Sequence, residues 1–189
     1  MSPFARDKEP CTLLQIGRTA LHTAVENWSN RAIVSTLIKA GADIHAADMD
    51  GTTPMCCAAL ADNVSALKTL QKHGAVFLTP HGWNALHAAA VRGSLKAMTY
   101  LLMHNKDAVL SINALDDLQD SALSLATKCG HDKVVTLLLQ SGAVVNERLL
   151  QQREHWHPRA ARIIGAHMRK AKTSQSHSTL YLDWTARFL

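Results

Sequence analysis

The sequence predicts an all-α fold: a solenoid of helix–turn–helix units joined by short hairpin loops, with a divergent helical cap at the C-terminal end. Three observations carry that prediction. The phrase GRTALHTAVEN at positions 17–27 returns as GWNALHAAAVR at positions 82–92. Two looser copies, GTTPMCCAA from Gly51 and QDSALSLAT from Gln119, put the anchor residues Thr19, Thr53, Asn84 and Ser121 at spacings of 34, 31 and 37 residues. Each copy is followed by a second apolar run: IVSTLIKAGAD, LKTLQKHGAV, MTYLLMHN and VVTLLLQSGAVVN. A two-helix unit of this size cannot bury both apolar faces alone, so neighbouring units must stack.

The composition agrees. In 189 residues, 47% hydrophobic and 19% charged, there is chain enough for one domain with a sizeable core. Aromatic residues make up 5%, so Leu, Ala and Val must fill that core. Cys56 and Cys57 are adjacent, Cys11 and Cys129 stand alone, and no CxxC pair occurs. That pattern argues against a disulfide framework and for a reducing compartment. The opening MSPFARDKEPC lacks an apolar leader, and no apolar stretch approaches the roughly 18–20 residues of a spanning helix. The expectation is a soluble protein of the cytoplasm or the nucleus, with no membrane partner. Residues 1–146 hold twelve Lys/Arg and twelve Asp/Glu, whereas residues 147–189 hold eight and three. The whole net charge of +5 therefore lies beyond Asn146.

Taken in order, residues 1–13 read as an N-terminal arm and 14–146 as four repeats. Thr53 suits an N-cap, and Pro54 falls at the first helical position, where its missing N–H costs nothing. Alanines follow (Ala58, Ala59; Ala88, Ala89, Ala90) and let paired helices approach closely. Gly93 and Gly130 suit the left-handed end of a first helix. Second helices show the 3.6-residue stripe at Ile33, Val34, Leu37 and Ile38, at Ala66, Leu67 and Leu70, and at Val134, Val135, Leu138 and Leu139. Gly41, Gly74 and Gly142 end them. There are departures: an extra residue near 27–30, a hairpin two residues short at 77–82, Asn105 in place of a glycine, and about four extra residues across 108–117. An enlarged finger is expected around 106–118, and a strained turn at Asp62. ERLLQQREHW reads as a helix with Leu149 and Leu150 inward. Pro158 then starts another, with Ala161, Ile164 and Met168 on one face. Residues 147–172 read as a basic helical cap, and 173–189 as a linker and an apolar tail. Leu180, Trp184 and Phe188 fall at i, i+4 and i+8, one helical face. That face needs a surface, either this protein's own array, the expected site, or another protein that the tail recruits.

TALHTA, TPMCCA, NALHAA and SALSLA resemble the ankyrin TPLHxA motif. Gly41-Ala42-Asp43, Gly74-Ala75 and Gly142-Ala143-Val144-Val145-Asn146 resemble its GADxN ending, and Asp48-Met49-Asp50-Gly51 its hairpin. The resemblance covers about 14–146, with Ser124 standing where His22 and His87 stand. It implies an ankyrin-repeat solenoid that binds a protein partner on a concave face of hairpin tips and first helices. The variable positions it implies are Arg18, Thr23 and Glu26; Met49, Asp50, Thr52, Cys57 and Leu60; Pro80, His81, Trp83, Ala88, Val91 and Arg92; and Asp117, Leu118, Asp120, Leu125 and Lys128. Trp83, beside His81 and Arg92, is the conspicuous anchor, because Trp and Arg dominate interface hot spots. Its alternative role is to pack on the next finger.

No catalytic constellation emerges. The resemblance implies structural hydrogen bonds for His22 and His87. His155 and His157 in HWH have no Cys or carboxylate cluster beside them, so no metal is expected. Cys56 reads as core and Cys57 as facing the groove, but a nucleophile needs a base and neither has one indicated. With no P-loop, GxSxG or dinucleotide fingerprint, no enzyme activity and no cofactor are expected. Arg159, Arg162, Arg169, Lys170 and Lys172 could meet phosphates. Without interleaved aromatics they read as a solvated face, and nucleic acid is not the expected partner. The functional expectation is a non-enzymatic protein–protein interaction module, an adaptor, inhibitor or scaffold. The alternatives are a substrate-receptor or targeting subunit whose tail recruits an enzyme complex, and a nucleic-acid-associated factor using the basic cap.

Overall fold

A computed structural model describes residues 17–27, 31–76, 82–104 and 112–174, the side chains of Arg31 and of 172–174 excepted. The N-terminal arm, the Pro80–His81 hairpin, Asn105 with residues 106–111 of the enlarged finger, and the tail with Leu180, Trp184 and Phe188 lie outside the described residues. The described helices are α1 (Ala20–Glu26), α2 (Arg31–Lys39), α3 (Pro54–Leu60), α4 (Val64–Lys72), α5 (Ala85–Arg92), α6 (Leu95–His104), α7 (Ala122–Lys128), α8 (Asp132–Gln140), α9 (Glu147–Gln151) and α10 (Pro158–Ser174). They stack in two layers. In the inner layer α1 packs on α3, α3 on α5 and α5 on α7; in the outer layer α2 packs on α4, α4 on α6 and α6 on α8. Among the described residues no strand forms, only an isolated bridge between Leu115 and Ser121.

The four anchor residues are the N-caps of the four inner helices. Asn84 Oδ1 accepts from the Leu86 and His87 amides at 2.9 and 3.1 Å, and Ser121 Oγ from Ser124 at 3.2 Å. Each bond satisfies an amide that a helix start leaves without an intrahelical partner. The short alanine-rich helices that follow are buried almost completely, so inner helices approach closely while the longer outer helices bury only one stripe. That stripe includes Leu67 and Leu70 on α4, Met98 and Leu101 on α6, and Val135 and Leu138 on α8.

Two sets of bonds cross between neighbours. At the inter-helix turns a side chain of each repeat reaches back to the end of the preceding inner helix. Asn63 Nδ2 donates to the Val25 carbonyl at 2.8 Å, Ser94 Oγ to Leu60 at 3.1 Å, and His131 Nε2 pairs with the Val91 carbonyl at 2.9 Å. Beyond α8 the His157 amide donates to the Thr127 carbonyl at 3.3 Å, continuing the series. At the other end, His22 Nε2 reaches the Thr52 carbonyl and His87 Nε2 the Ala114 carbonyl, both at 3.0 Å. Asp62 does have a left-handed φ of 54°, and its carboxylate accepts from the Ala97 amide at 2.7 Å. The strained turn is thus held by a bond to the next repeat's outer helix.

Four details differ from the sequence reading. Ile33 is 42% exposed, so the α2 stripe is Val34 with half-buried Leu37 and Ile38. Leu149 is buried but Leu150 only partly. The ERLLQQREHW helix stops at Gln151 and is followed by a 3₁₀ turn over Arg153–His155, with Trp156 extended beyond it. On α10 the inward positions are Ala160 and Ile164, not Ala161, because α10 meets α8 one residue earlier on its wheel.

The fourth hairpin repeats the second without its glycine. Asp48 Oδ1 accepts from the Asp50 and Thr52 amides at 3.0 and 2.8 Å; Asp116 Oδ1 accepts from Leu118 and Asp120 at 2.9 and 2.8 Å. The residue three positions after each Asp is left-handed, Gly51 at φ 74° and Gln119 at φ 62°. Glycine adopts that conformation freely, whereas other L-residues lose about 1–2 kcal/mol. Gln119→Gly is therefore expected to raise stability by roughly 0.5–1 kcal/mol, once glycine's larger unfolded-state entropy is subtracted. Chemical denaturation should move the midpoint up with an unchanged slope.

Candidate protein-binding groove

The inner helices and hairpin tips carry most of the residues singled out from the sequence, and folding divides them into three groups. The first is paired with itself. Arg18 Nη2 meets Glu26 Oε1 at 2.6 Å and donates to Cys57 Sγ at 3.4 Å, tying the first repeat to the second. At the far end Lys128 Nζ meets Asp120 Oδ2 at 2.6 Å, while Ser124 Oγ donates to Asp120 Oδ1 at 2.7 Å. Ser124 stands where the first and third repeats place histidine, and it uses its hydroxyl to hold that carboxylate. The carboxylates of Glu26 and Asp120 are thereby neutralised and held in place. Cys57 is buried rather than facing the groove, and burial pushes its thiol well above the ordinary range.

The second group lies inside. Trp83, read from sequence as the leading anchor, is only 8% exposed and stacks on His87 at 5.5 Å between ring centroids. The correction has a local cause. Trp83 immediately precedes the Asn84 N-cap, and the turn of the helix brings His87 under its ring. His87 itself is fully buried: its Nδ1 accepts the Asn84 amide at 3.2 Å, which leaves Nε2–H to donate to Ala114. Burial lowers its pKa and keeps the ring neutral, as this bonding requires. His22 does the same work in the first repeat, accepting the Thr19 amide at 3.1 Å. The histidines are thus building material of the array.

The third group is open. Met49 is 74% and Leu118 is 45% exposed, and each tip has an exposed carboxylate beside it, Asp50 and Asp117. Between the inner helices and the inter-helix turns, Leu60, Val91 and Arg92 line an open cavity of about 480 Å³ together with Asp62, Gly93, Ser94 and His131. Its floor is fixed, since a Cβ on Gly93 would come within 2.5 Å of the His131 ring. Leu125 and Ala88 are buried beneath this surface. Apolar tips with a carboxylate beside each, and an open turn-side cavity, are what the repeats leave accessible on this part of the array. Among the described residues no group of three or more His, Cys, Asp or Glu could hold a metal ion, and no helix is long and apolar enough to cross a membrane. The sequence signal for the tip symmetry was present, since Asp48 and Asp116 precede the anchor residues Thr53 and Ser121 by five positions. It was hidden by the missing glycine and the extra residues before Asp116.

Comparison with known proteins agrees with this architecture. A family described as ankyrin repeats (3 copies) matches residues 21–112 and again 77–148. The tyrosine-protein kinase HTK16 of Hydra vulgaris is 43% identical over 93 residues, 47% of this chain and 12% of the kinase. Human transient receptor potential cation channel subfamily A member 1 is 36% identical over 132 residues, 67% of this chain and 12% of the channel. A putative ankyrin repeat protein of Rickettsia bellii is 28% identical over 129 residues, 68% of this chain and 52% of that protein. The chain thus spans about an eighth of the length of the first two relatives and half of the third.

Proposed function

Because the chain belongs to the ankyrin-repeat family, whose arrays are protein–protein interaction modules, we propose that it is a non-enzymatic adaptor, inhibitor or scaffold that grips a protein partner across its hairpin tips and groove. The observation that carries the reading is the pair of exposed apolar residues, Met49 and Leu118, on tips whose backbones are fixed by Asp48 and Asp116. A side chain presented on a rigid turn loses little backbone entropy on binding, and Met adapts its shape to what it meets. Arg18, Glu26, Asp50, Leu60, Val91, Arg92 and Lys128 frame the same surface. Trp83 supports it from below, and His81 and the tail residues Leu180, Trp184 and Phe188 lie outside the described part. Residues 147–172 serve as the polar end cap that a repeat array needs. The cytoplasm or nucleus suits the free thiols of Cys56, Cys57 and Cys129. The relatives support a binding role in another way: by name one is a kinase and one a channel, so what they have in common with this chain is the array.

The test is affinity capture by the full chain with mass spectrometry of what is retained, repeated with Met49→Ser and Leu118→Ser combined. Both side chains are exposed, so the melting temperature should hold within about 2 °C, as surface substitutions usually change stability by less than about 0.5 kcal/mol. The principal partner should bind about tenfold more weakly or worse, a loss of about 1.4 kcal/mol. Undiminished capture by the folded double variant would remove the tips from the interface.

A further inference from the structure

We propose that the C-terminal cap carries a second contact surface, an arginine stripe of Arg153, Arg159, Arg162 and Arg169, that receives an acidic segment of the protein held in the groove. The proposal rests on the groove reading and extends it to the partner's chemistry.

All four arginines are exposed, and among the described residues none of their side chains forms an ion pair or hydrogen bond. Arg159, Arg162 and Arg169 stand at i, i+3 and i+10 on α10, one face of a helix at 3.6 residues per turn. That face points away from Ala160 and Ile164, the positions that α10 buries. Arg159 and Arg169 are separated by ten residues, about 15 Å along the axis. Arg153 adds a further exposed guanidinium in the 3₁₀ turn before α10. Two carboxylates, Glu147 and Glu154, are exposed on the same segment, against six Lys/Arg over 147–170. The surface keeps a clear basic excess.

Its place in the array indicates what it meets. In the groove Arg18 and Lys128 are spent on Glu26 and Asp120, and the tips expose the carboxylates of Asp50 and Asp117, so the basic excess lies on the cap. The cap begins where the groove stops: Arg148 Nη2 donates to the Leu118 carbonyl at 2.8 Å, joining α9 to the fourth tip. A chain leaving the groove past Leu118 therefore runs onto the basic cap. The donors there are arginines, whose planar fork matches a carboxylate with two parallel bonds. A single-stranded nucleic acid would also want aromatic faces for its bases. The tryptophan on this segment, Trp156, is partly buried and spends its indole N–H on the Leu149 carbonyl at 3.1 Å. An acidic protein segment is what fits.

The experiment uses the full chain and a fluorescein-labelled 16-residue peptide of Asp and Glu, followed by anisotropy at several salt concentrations. Two triple variants are compared. Arg159→Gln, Arg162→Gln and Arg169→Gln together should weaken peptide binding at least tenfold. Lys39→Gln, Lys72→Gln and Lys133→Gln together remove the same charge from exposed sites elsewhere and should change it less than twofold. Equal weakening by the two would reduce the effect to net charge and overturn the proposal. So would tighter binding of a 20-nucleotide oligothymidine, which would assign the stripe to nucleic acid, or of phosphatidylserine vesicles, which would assign it to a membrane surface. The Met49→Ser/Leu118→Ser chain should bind the peptide like wild type. If the stripe variant is inert while the tip variant loses its captured partner, the stripe fails and the groove reading stands. If the stripe binds the peptide as expected while the tip variant captures normally, the stripe stands and the tips leave the interface.

Discussion

A chain ending at Asp120 is expected to aggregate instead of melting. Removing residues 121–189 takes α7 from α5 and α8 from α6, and with them the cover over helices whose Ala88, Ala89, Met98 and Leu101 are buried. It also removes His131, which closes the Val91 carbonyl at the end of α5. Each large apolar side chain returned to water costs about 1.5–3 kcal/mol, and a few of them exceed the roughly 5–15 kcal/mol that hold a domain together. The measurement is sedimentation velocity with thermal circular dichroism. A monomeric 1–120 fragment with a cooperative transition would show that α7 and α8 are dispensable cover. The complementary truncation, removing only 173–189, should leave a monomer with an unchanged cooperative transition.

The reason such a cut can be placed from the sequence is that the repeat is written in local chemistry. Thr19, Thr53, Asn84 and Ser121 are cap residues whose backbones must sit at helix starts, and Gly41, Gly74 and Gly142 are left-handed at φ 89°, 91° and 91°. Those demands act within a few residues, so a linear string displays them. What stayed hidden depends on partners distant in sequence or on ring orientation. Trp83 looked like an exposed anchor because nothing local says its ring lies over His87. The arrangement of charge in the groove was equally opaque: Arg18 and Glu26 are eight residues apart and Cys57 belongs to the next repeat. On α10, Ala160 and Ala161 are indistinguishable by type, and only the angle at which the helix meets α8 chooses between them.

Gly82→Ala is expected to cost about 3 kcal/mol, the sum of left-handed strain and a backbone clash. Gly82 has φ 72°, and a Cβ there would sit 2.5 Å from the Leu115 carbonyl oxygen and 3.2 Å from Asp116 Cα. Both neighbours are main chain, and the Asp116 turn is held by four bonds, so neither can step aside cheaply. Gly142→Ala is the control: its φ is 91°, but nothing lies within 4 Å of the added carbon. Only strain remains there, about 1 kcal/mol. At roughly 2–4 °C per kcal/mol for a chain of this size, scanning calorimetry should record a fall of about 6–12 °C for Gly82→Ala and about 2–4 °C for Gly142→Ala. Equal shifts would mean that the Leu115–Asp116 backbone yields to the methyl group and the third and fourth repeats are less rigidly joined.

The turn residues that reach back along the array decide where it can be spliced. Asn63, Ser94 and His131 belong to one sequence copy but finish the helix of the copy before it. A graft cut at the hairpins, the boundary that the repeating phrase suggests, would transplant a helix pair whose first helix still needs a foreign residue to close its last carbonyls. It would also leave behind a host helix stripped of the one it had. The transferable piece is out of phase with the written repeat: it runs from one inner helix through to the turn residue of the next copy. Any exchange of repeats in this protein has to carry Asn63, Ser94 or His131 along with the helix that each one completes.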